Sequence, residues 1–254
     1  MEPDLDVRND EHVWTVTIRR PPHNFVSVES LGRLADELER LDAEPQCRAV
    51  VLASDGKSFC AGADLSSALD GGKVLDSAAL YAQGLRLFRT HKPIVAAVQG
   101  AAIGAGVGLA LVADFRVTCP AARFSVNFNR LGFHPGFGLS HTLPRLVGAQ
   151  KAASLFYTGR RVGGAEAVAM GLADELAYDA GVYPAALELA RQIAASAPLA
   201  VQSTRRTLRL ALADQVQAAL QRELGIQLDQ FKSADFLEGI AAMAQRRVPV
   251  FRGR

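Results

Sequence analysis

Two glycine-bearing stretches decide the fold: KSFCAGADL at residues 57–65 and PIVAAVQGAAIGAGVGLA at residues 93–110. The first follows the short apolar run Ala49–Ala53, and the second contains the apolar run Ile94–Val98. Strand, glycine loop and helix in this repeated order predict crossover units around a buried parallel sheet. The uncharged span 94–112 is nearly long enough for a transmembrane helix, but its glycines favour a strand, a turn and a buried helix.

The remaining chain divides into a sheet-containing part and a helical part. Residues 13–18 alternate like a half-buried strand, and leucines between Leu31 and Leu41 recur at helical spacing. Further short strands are expected at 115–118 and 123–126, and helices at 149–157, 165–170, 180–195 and over most of 199–245. These patterns predict a core over residues 1–195 and a helical C-terminal region over residues 196–254.

Composition narrows the class of protein. The formal net charge of the 254 residues is +2, so no overall field favours nucleic acid or an anionic membrane. Cys47, Cys60 and Cys119 form no CxxC pair, which favours a reduced protein over a disulfide framework or a zinc site. The acidic N-terminus does not look like a secretory signal. We therefore expect a cytoplasmic protein without a metal, a nucleic-acid partner or a membrane partner.

Six motifs carry a resemblance to one family. Residues 59–65, FCAGADL, resemble the first oxyanion-loop signature of the enoyl-CoA hydratase/isomerase (crotonase) superfamily, F-x-A-G-A-D-[LI], and residues 100–106 resemble the second, G-x-A-x-G-G-G. Four further matches lie in the family's order, at 20–24, 113–116, 131–136 and 238–251. The resemblance implies a crotonase-like (ClpP/crotonase) α/β fold, a spiral of ββα units. It also implies homotrimers or dimers of trimers assembled through the helical C-terminal region.

The resemblance further implies an acyl-CoA ligand, with coenzyme A as part of the substrate and no other cofactor. By this resemblance, the backbone N–H groups of Ala63 and Ala105 form an oxyanion hole for the thioester. Each such donor typically stabilises the transition state by ~3 kcal/mol. Flanking glycines relieve crowding, and Ala105 stands near the start of a helix. The other residues implied to line the substrate site are His23, Phe25, Lys57, Ala61, Gly62, Asp64, Leu65, Gly104, Gly108, Phe128, Gly136 and Arg246.

Some of these residues also have simpler interpretations. Asp64 is typical of an aspartate that braces its own loop, and Arg246 fits a solvated basic tail as well as a phosphate site. Asp114 fits a structural role better than a catalytic one. The second glycine stretch could suggest a dinucleotide fold, but G-x-G-x-G at residues 104–108 is not the G-x-G-x-x-G fingerprint.

The sequence departs from the family at all three familiar carboxylate positions. Alignment of the motifs places Gly108 and Phe128 where hydratases carry two glutamates, and Gly136 where some isomerases carry an aspartate. None of these residues can transfer a proton, so ordinary hydration of 2-enoyl thioesters is expected to be slow or absent. His134 is the best remaining acid or base, since imidazole titrates near neutral pH, although a loop histidine is more often structural.

Other titratable groups are weaker candidates: His141, one helical turn beyond His134, and Tyr81 and Arg86 in a helix expected to cover the acyl group. Two functional hypotheses stay open. One is an enzyme of the hydratase/isomerase type that keeps the oxyanion hole and uses a non-standard acid or base. The other is a binding or carrier protein that captures acyl-CoA without chemistry. The enzyme is favoured, because the hole alone lowers a barrier.

Overall fold

The computed structural model describes residues 4–65, 76–178 and 181–254. The strands in these ranges are β1 Leu5–Asp10, β2 Val13–Ile18, β3 Ala49–Ser54, β4 Ser58–Cys60, β5 Ile94–Val98, β6 Ala101–Ile103, β7 Phe115–Thr118, β8 Arg123–Ser125, β9 Val162–Gly163 and β10 Glu175–Leu176. The helices are α1 Val28–Ala43, α2 Ser77–Phe88, α3 Ala105–Ala110, α4 Leu139–Val147, α5 Ala149–Thr158, α6 Gly164–Met170, α7 Val182–Ala194, α8 Pro198–Leu208, α9 Leu212–Gln230 and α10 Ala234–Ala244.

The larger sheet is the parallel sheet that the apolar runs predict. Its order is β1-β2-β3-β5-β7-β10, and every neighbouring pair is parallel except β1 with β2. Every residue of β5 is buried, as expected for a strand covered on both faces. The antiparallel edge strand β1 was not predicted, because its sequence LDVRND is polar and only partly buried.

A smaller sheet carries the two glycine stretches. Its order is β4-β6-β8-β9, with β4, β6 and β8 parallel. The chain passes from β3 to β4, and from β5 to β6, through short turns before it reaches a helix, which gives the expected spiral of strand pairs and helices. At Gly100, between β5 and β6, a Cβ atom would lie 1.9 Å from the Lys57 carbonyl oxygen, so only glycine lets the two turns approach.

Helix α1 confirms the helical spacing of its leucines. Ser27 caps it by accepting a hydrogen bond from the Ser30 N–H, and the Ser30 hydroxyl accepts from the Ser27 N–H in return. The buried face consists of Leu31, Leu34, Ala35, Leu38 and Leu41. This face packs toward the core, and the opposite face carries the charged residues.

The predicted boundary between residues 195 and 196 falls between α7 and α8, and α8 to α10 are helical as expected. Ala180, the expected start of a helix, lies outside the described residues. Helix α10 folds back onto the 3₁₀ helix Asn127–Leu131, where a Cβ on Gly239 would lie 2.5 Å from the Leu131 carbonyl carbon. Whether this region assembles trimers remains a prediction.

A buried ion cluster joins α8 to the larger sheet. Asp114 accepts hydrogen bonds from Arg205 Nε at 2.8 Å, from Arg209 Nη1 at 2.9 Å and from the Ile94 N–H at 2.9 Å. This arrangement fits the structural role expected for Asp114. Among the described residues, no helix combines the length and apolar character needed to cross a membrane.

Candidate active site

The two glycine turns meet backbone to backbone. A Cβ on Gly106 would lie 2.0 Å from the Cys60 carbonyl oxygen. A Cβ on Gly62 would lie 2.7 Å from the Ile103 carbonyl oxygen and 3.6 Å from the Ala105 nitrogen. Because neither position has room for a side chain, the glycines let the first turn of α3 press against the end of β4.

Ala63 and Ala105 line one cavity beside this contact. Ala63 follows Gly62, whose φ of +92° favours glycine and whose carbonyl accepts the Val26 N–H at 2.9 Å. Ala105 is the first residue of α3, so its N–H has no acceptor within the helix. The preceding Gly104 is held by its N–H, which donates to the Ser125 carbonyl at 2.8 Å.

The cavity has a volume of about 640 Å³ and is lined mainly by apolar side chains. It brings together ten of the fifteen residues that the sequence assigns to the site: His23, Phe25, Ala61, Gly62, Ala63, Asp64, Leu65, Gly104, Ala105 and Phe128. The other five, Lys57, Gly108, His134, Gly136 and Arg246, are not among its lining residues. Their predicted contacts with a substrate therefore stay without direct geometric support.

The position of the first family glutamate is filled by a neighbouring ring. A Cβ on Gly108 would lie 2.5 Å from Cδ1 of Phe137, and a Cβ on Gly84 of α2 would lie 3.0 Å from Cζ of the same ring. Phe137 lines the cavity and its side chain is 1% exposed. The sequence shows only that a carboxylate is missing at position 108, whereas the structure shows that an aromatic side chain takes up its space.

Phe128, at the second glutamate position, belongs to an aromatic wall. Its ring packs edge-on against Phe133 with centroids 5.4 Å apart, and Phe133 in turn contacts Phe231 at 5.2 Å. All three rings line the cavity. The wall therefore presents apolar surface, and no carboxylate, at the second glutamate position.

A phenol and an amide surround the third empty position. A Cβ on Gly136 would lie 1.9 Å from the Tyr81 hydroxyl oxygen and 2.7 Å from Nε2 of Gln227. The Tyr81 hydroxyl donates to Gln227 Oε1 at 2.8 Å, and both side chains line the cavity. Burial, and next the nearby Glu223, raise the pKa of Tyr81, so at neutral pH its phenol holds its proton.

Neither of the two histidines predicted as acid or base is among the residues that line the cavity. His134 Nδ1 is 2.7 Å from the Pro135 carbonyl oxygen, and the His134 N–H donates to Gln230 Oε1 at 2.6 Å. His141 does not line the cavity either, and burial followed by Arg145 lowers its pKa. Arg86 is also outside the lining and pairs with acidic residues of α1.

Sequence reasoning missed Glu223 and Gln227 of α9, both fully buried. Glu223 Oε2 accepts the Gly138 N–H at 2.8 Å, and its Oε1 accepts the Ser140 N–H at 2.9 Å and the Ser140 hydroxyl at 2.5 Å. Burial raises the pKa of the Glu223 carboxyl. A signal was present, since the two polar residues stand four positions apart on the inward face of an amphipathic helix.

Arg246 lines a second, basic pocket of about 450 Å³, together with Arg130, Arg160, Arg161 and Arg247. This pocket adjoins the cavity, with which it shares Arg161 and Met243 among its lining residues. Arg246 therefore lies in a pocket next to the cavity rather than in the cavity itself. Across the described ranges, no group of three or more His, Cys, Asp or Glu residues is placed to hold a metal ion.

A model of the enoyl-CoA hydratase/isomerase family matches residues 8–254. The chain belongs to this family. It is 37% identical to a Mycobacterium tuberculosis protein named a probable enoyl-CoA hydratase, EchA14, over 93% of this chain and 96% of that protein. It is 31% identical to the carnitinyl-CoA dehydratase of Escherichia coli over all of both chains. The crystal structure of an enoyl-CoA hydratase/isomerase from Pseudoalteromonas atlantica superimposes with a TM-score of 0.88 and 33% identity, covering 98% of this chain and 100% of that one.

The family assignment confirms the predicted superfamily and its α/β spiral fold. It also places the chain among acyl-CoA-processing enzymes of the hydratase and lyase type. At the three positions where the motifs led us to expect carboxylates, the structure has the Phe137 ring beside Gly108, the Phe128 ring itself, and the Tyr81 and Gln227 side chains beside Gly136.

Proposed function

We propose that this chain binds an acyl-CoA thioester and stabilises its enolate with the backbone N–H groups of Ala63 and Ala105, and that two-glutamate hydration is not its main reaction. The observation that carries the proposal is the close contact between the two turns, where a Cβ on Gly62 would lie 2.7 Å from the Ile103 carbonyl oxygen and a Cβ on Gly106 would lie 2.0 Å from the Cys60 carbonyl oxygen. This contact places both alanines beside one apolar cavity.

The expected stabilisation of the enolate follows from the number of N–H donors. Two preorganised N–H groups in a dry site supply roughly 3 kcal/mol each to an enolate-like transition state. This is enough to acidify the α-carbon of a thioester, and it requires no water in the cavity. Hydration needs in addition a carboxylate that holds and deprotonates water, and positions 108, 128 and 136 provide none.

Among the described residues, four titratable side chains line the cavity: His23, Asp64, Tyr81 and Arg161. The guanidinium of Arg161 stays charged, which leaves the other three as groups that could exchange a proton with a ligand. His23 and Asp64 are exposed, so they lie at its rim, whereas Tyr81 is buried. A phenol with a raised pKa suits donation of a proton to an enolate better than removal of a proton from carbon. We therefore assign Tyr81 as the candidate acid and one of the two rim groups as the candidate base.

The test compares two reactions of the same protein, with EDTA present because we propose that no metal takes part. Exchange of α-hydrogen for deuterium in a saturated acyl-CoA should be detected, and hydration of crotonyl-CoA should be at least about 100-fold slower than exchange. Tight binding with neither reaction would establish a carrier instead. Efficient hydration would show that an unrecognised group activates water.

We also propose a homotrimer or a dimer of trimers, assembled through the helical C-terminal region. Support comes from Leu199, Leu208 and Leu210, which are 81%, 73% and 78% exposed in the single chain. Light scattering of the wild type and of L208D measures this directly, and a monomeric wild type would contradict it. The three cysteines are buried and form no disulfide, which fits a reducing compartment, so we propose a cytoplasmic location.

A further inference from the structure

Phe137 closes a niche between two helices at the wall of the cavity. Its ring stands between Gly84 of α2 and Gly108 of α3, at the distances given above for their missing Cβ atoms. A glycine on each helix thus makes room for one aromatic ring. The same ring lines the cavity, so it separates the space for a ligand from the space between α2 and α3.

The backbone at Phe137 adopts a conformation that few side chains tolerate. Its φ is +61°, and Gly138 follows with a φ of +72°. A residue other than glycine in the left-handed region persists only when the surrounding structure holds it there. Phe137 therefore needs anchors on its own loop to keep the ring in the niche.

One face of α9 provides these anchors. Glu223, Gln227 and Gln230 follow each other at helical spacing, and all three bind the loop of residues 134–140. Glu223 accepts both N–H groups that flank Leu139, from Gly138 and Ser140. Gln227 Nε2 donates to the His134 carbonyl at 2.8 Å, and Gln230 Oε1 accepts the His134 N–H.

We propose that Phe137 sets the length of the acyl group that the cavity accepts, and that Glu223 is the positioning residue that keeps the Phe137 ring in the Gly84–Gly108 niche. The proposal rests on the acyl-CoA binding proposed above and narrows its substrate class to short or compact acyl groups. Without the ring, the apolar cavity would extend between α2 and α3 and admit a longer chain.

The expected effect follows from burial of methylene groups. Each methylene moved from water into an apolar niche improves binding about fourfold. A niche the size of a phenyl ring holds roughly three of them, so in F137A the affinity for decanoyl-CoA relative to butanoyl-CoA should rise roughly 50-fold over the wild type. A general loss of protein stability would weaken the binding of both ligands equally and leave this ratio of affinities unchanged.

The experiment measures dissociation constants of butanoyl-CoA and decanoyl-CoA by calorimetry, for the wild type, F137A, E223Q and F156A. Phe156 of α5 is a matched control, since it is 8% exposed and does not line the cavity. The affinity for decanoyl-CoA relative to butanoyl-CoA should rise strongly in F137A and by a smaller factor in E223Q, which loses one acceptor for the loop. In F156A this ratio of affinities should stay within threefold of the wild type. Circular dichroism verifies folding, and F137L takes the place of F137A if the alanine variant does not fold.

An unchanged ratio in folded F137A or F137L would overturn the assignment of Phe137. A shifted ratio in F137A together with an unshifted one in E223Q would overturn the role of Glu223, and a shift in F156A would show that any loosened core has the same effect. Failure of the wild type to bind either thioester would instead remove the proposed function itself.

Discussion

Replacement of Gly106 by alanine should separate the two turns that form the proposed oxyanion hole. The new Cβ would lie 2.0 Å from the Cys60 carbonyl oxygen, whereas ordinary contacts begin at 3.4 Å. The atom it meets belongs to the backbone of β4, so no side chain can turn aside. The turns must therefore move apart by roughly 1 Å.

This displacement has a calculable effect on catalysis. An oxyanion-hole donor acts within about 2.7–3.1 Å of the developing charge, so a shift of roughly 1 Å removes one donor and lowers kcat about 100-fold to 1,000-fold. Binding of the ground-state thioester should weaken much less, because the full charge on oxygen appears only in the transition state. The assay is α-hydrogen exchange for kcat and calorimetry for the dissociation constant.

Gly225 is the matched control. It lies exposed within α9, and nothing lies within 4 Å of its missing Cβ. G225A should keep kcat and gain about 0.5–1 kcal/mol of stability, since alanine favours a helix. If folded G106A keeps its kcat within about threefold of wild type, the contact between the turns does not govern the chemistry and the reasoning fails.

Three further predictions concern stability and reactivity. D114N should lower the free energy of unfolding by about 3–5 kcal/mol in urea denaturation, because it removes the negative charge shared by the buried Arg205 and the largely buried Arg209. The exposed pair at Asp229 should tolerate D229N within about 0.5 kcal/mol. The raised pKa of Glu223 means that the folded state holds this proton more tightly than the unfolded state, so stability should fall as pH rises above 4.5 toward the raised pKa, and a pH series on E223Q should lack this loss. Burial raises the pKa of Cys47 and of Cys60 to about 12, so a thiol reagent should leave both unmodified at neutral pH until denaturant is added, and fast labelling of the native protein would contradict this.

Much of the fold could be predicted because buried strands and buried helix faces require apolar residues at regular spacings in the sequence. The apolar runs of β3 and β5 and the leucine spacing of α1 report local periodicity, and both are confirmed. The strand β1 escaped prediction because an exposed edge strand needs no apolar side chains. Its pairing with β2 depends on a hydrogen-bonding edge, which a sequence does not display.

For the candidate site too, local motifs could be predicted from the sequence, whereas contacts between distant segments could not. Motifs identified the residues beside the turns, because only glycine fits at these close contacts, and Ala63, Ala105 and Phe128 line one cavity. His134 is not among the lining residues, because proximity in sequence to the Pro135 turn does not determine which way the ring faces, and its role as acid or base stays a prediction. Glu223 and Gln227 were missed because they come from α9, which begins more than a hundred residues after the second glycine turn.

The three missing carboxylates are best understood together with what replaces them. The Phe137 ring takes up the space at Gly108, the Tyr81 hydroxyl and the Gln227 amide take up the space at Gly136, and Phe128 joins an aromatic wall. A random loss of glutamates would leave gaps, which cost stability and admit water. Here neighbouring side chains fill the space. The fully buried Glu223 carboxylate fixes the loop that carries Phe137 by accepting the N–H groups of Gly138 and Ser140. This packing supports the proposal that the cavity holds an apolar acyl group and that the two amides, rather than a carboxylate that activates water, act on the thioester.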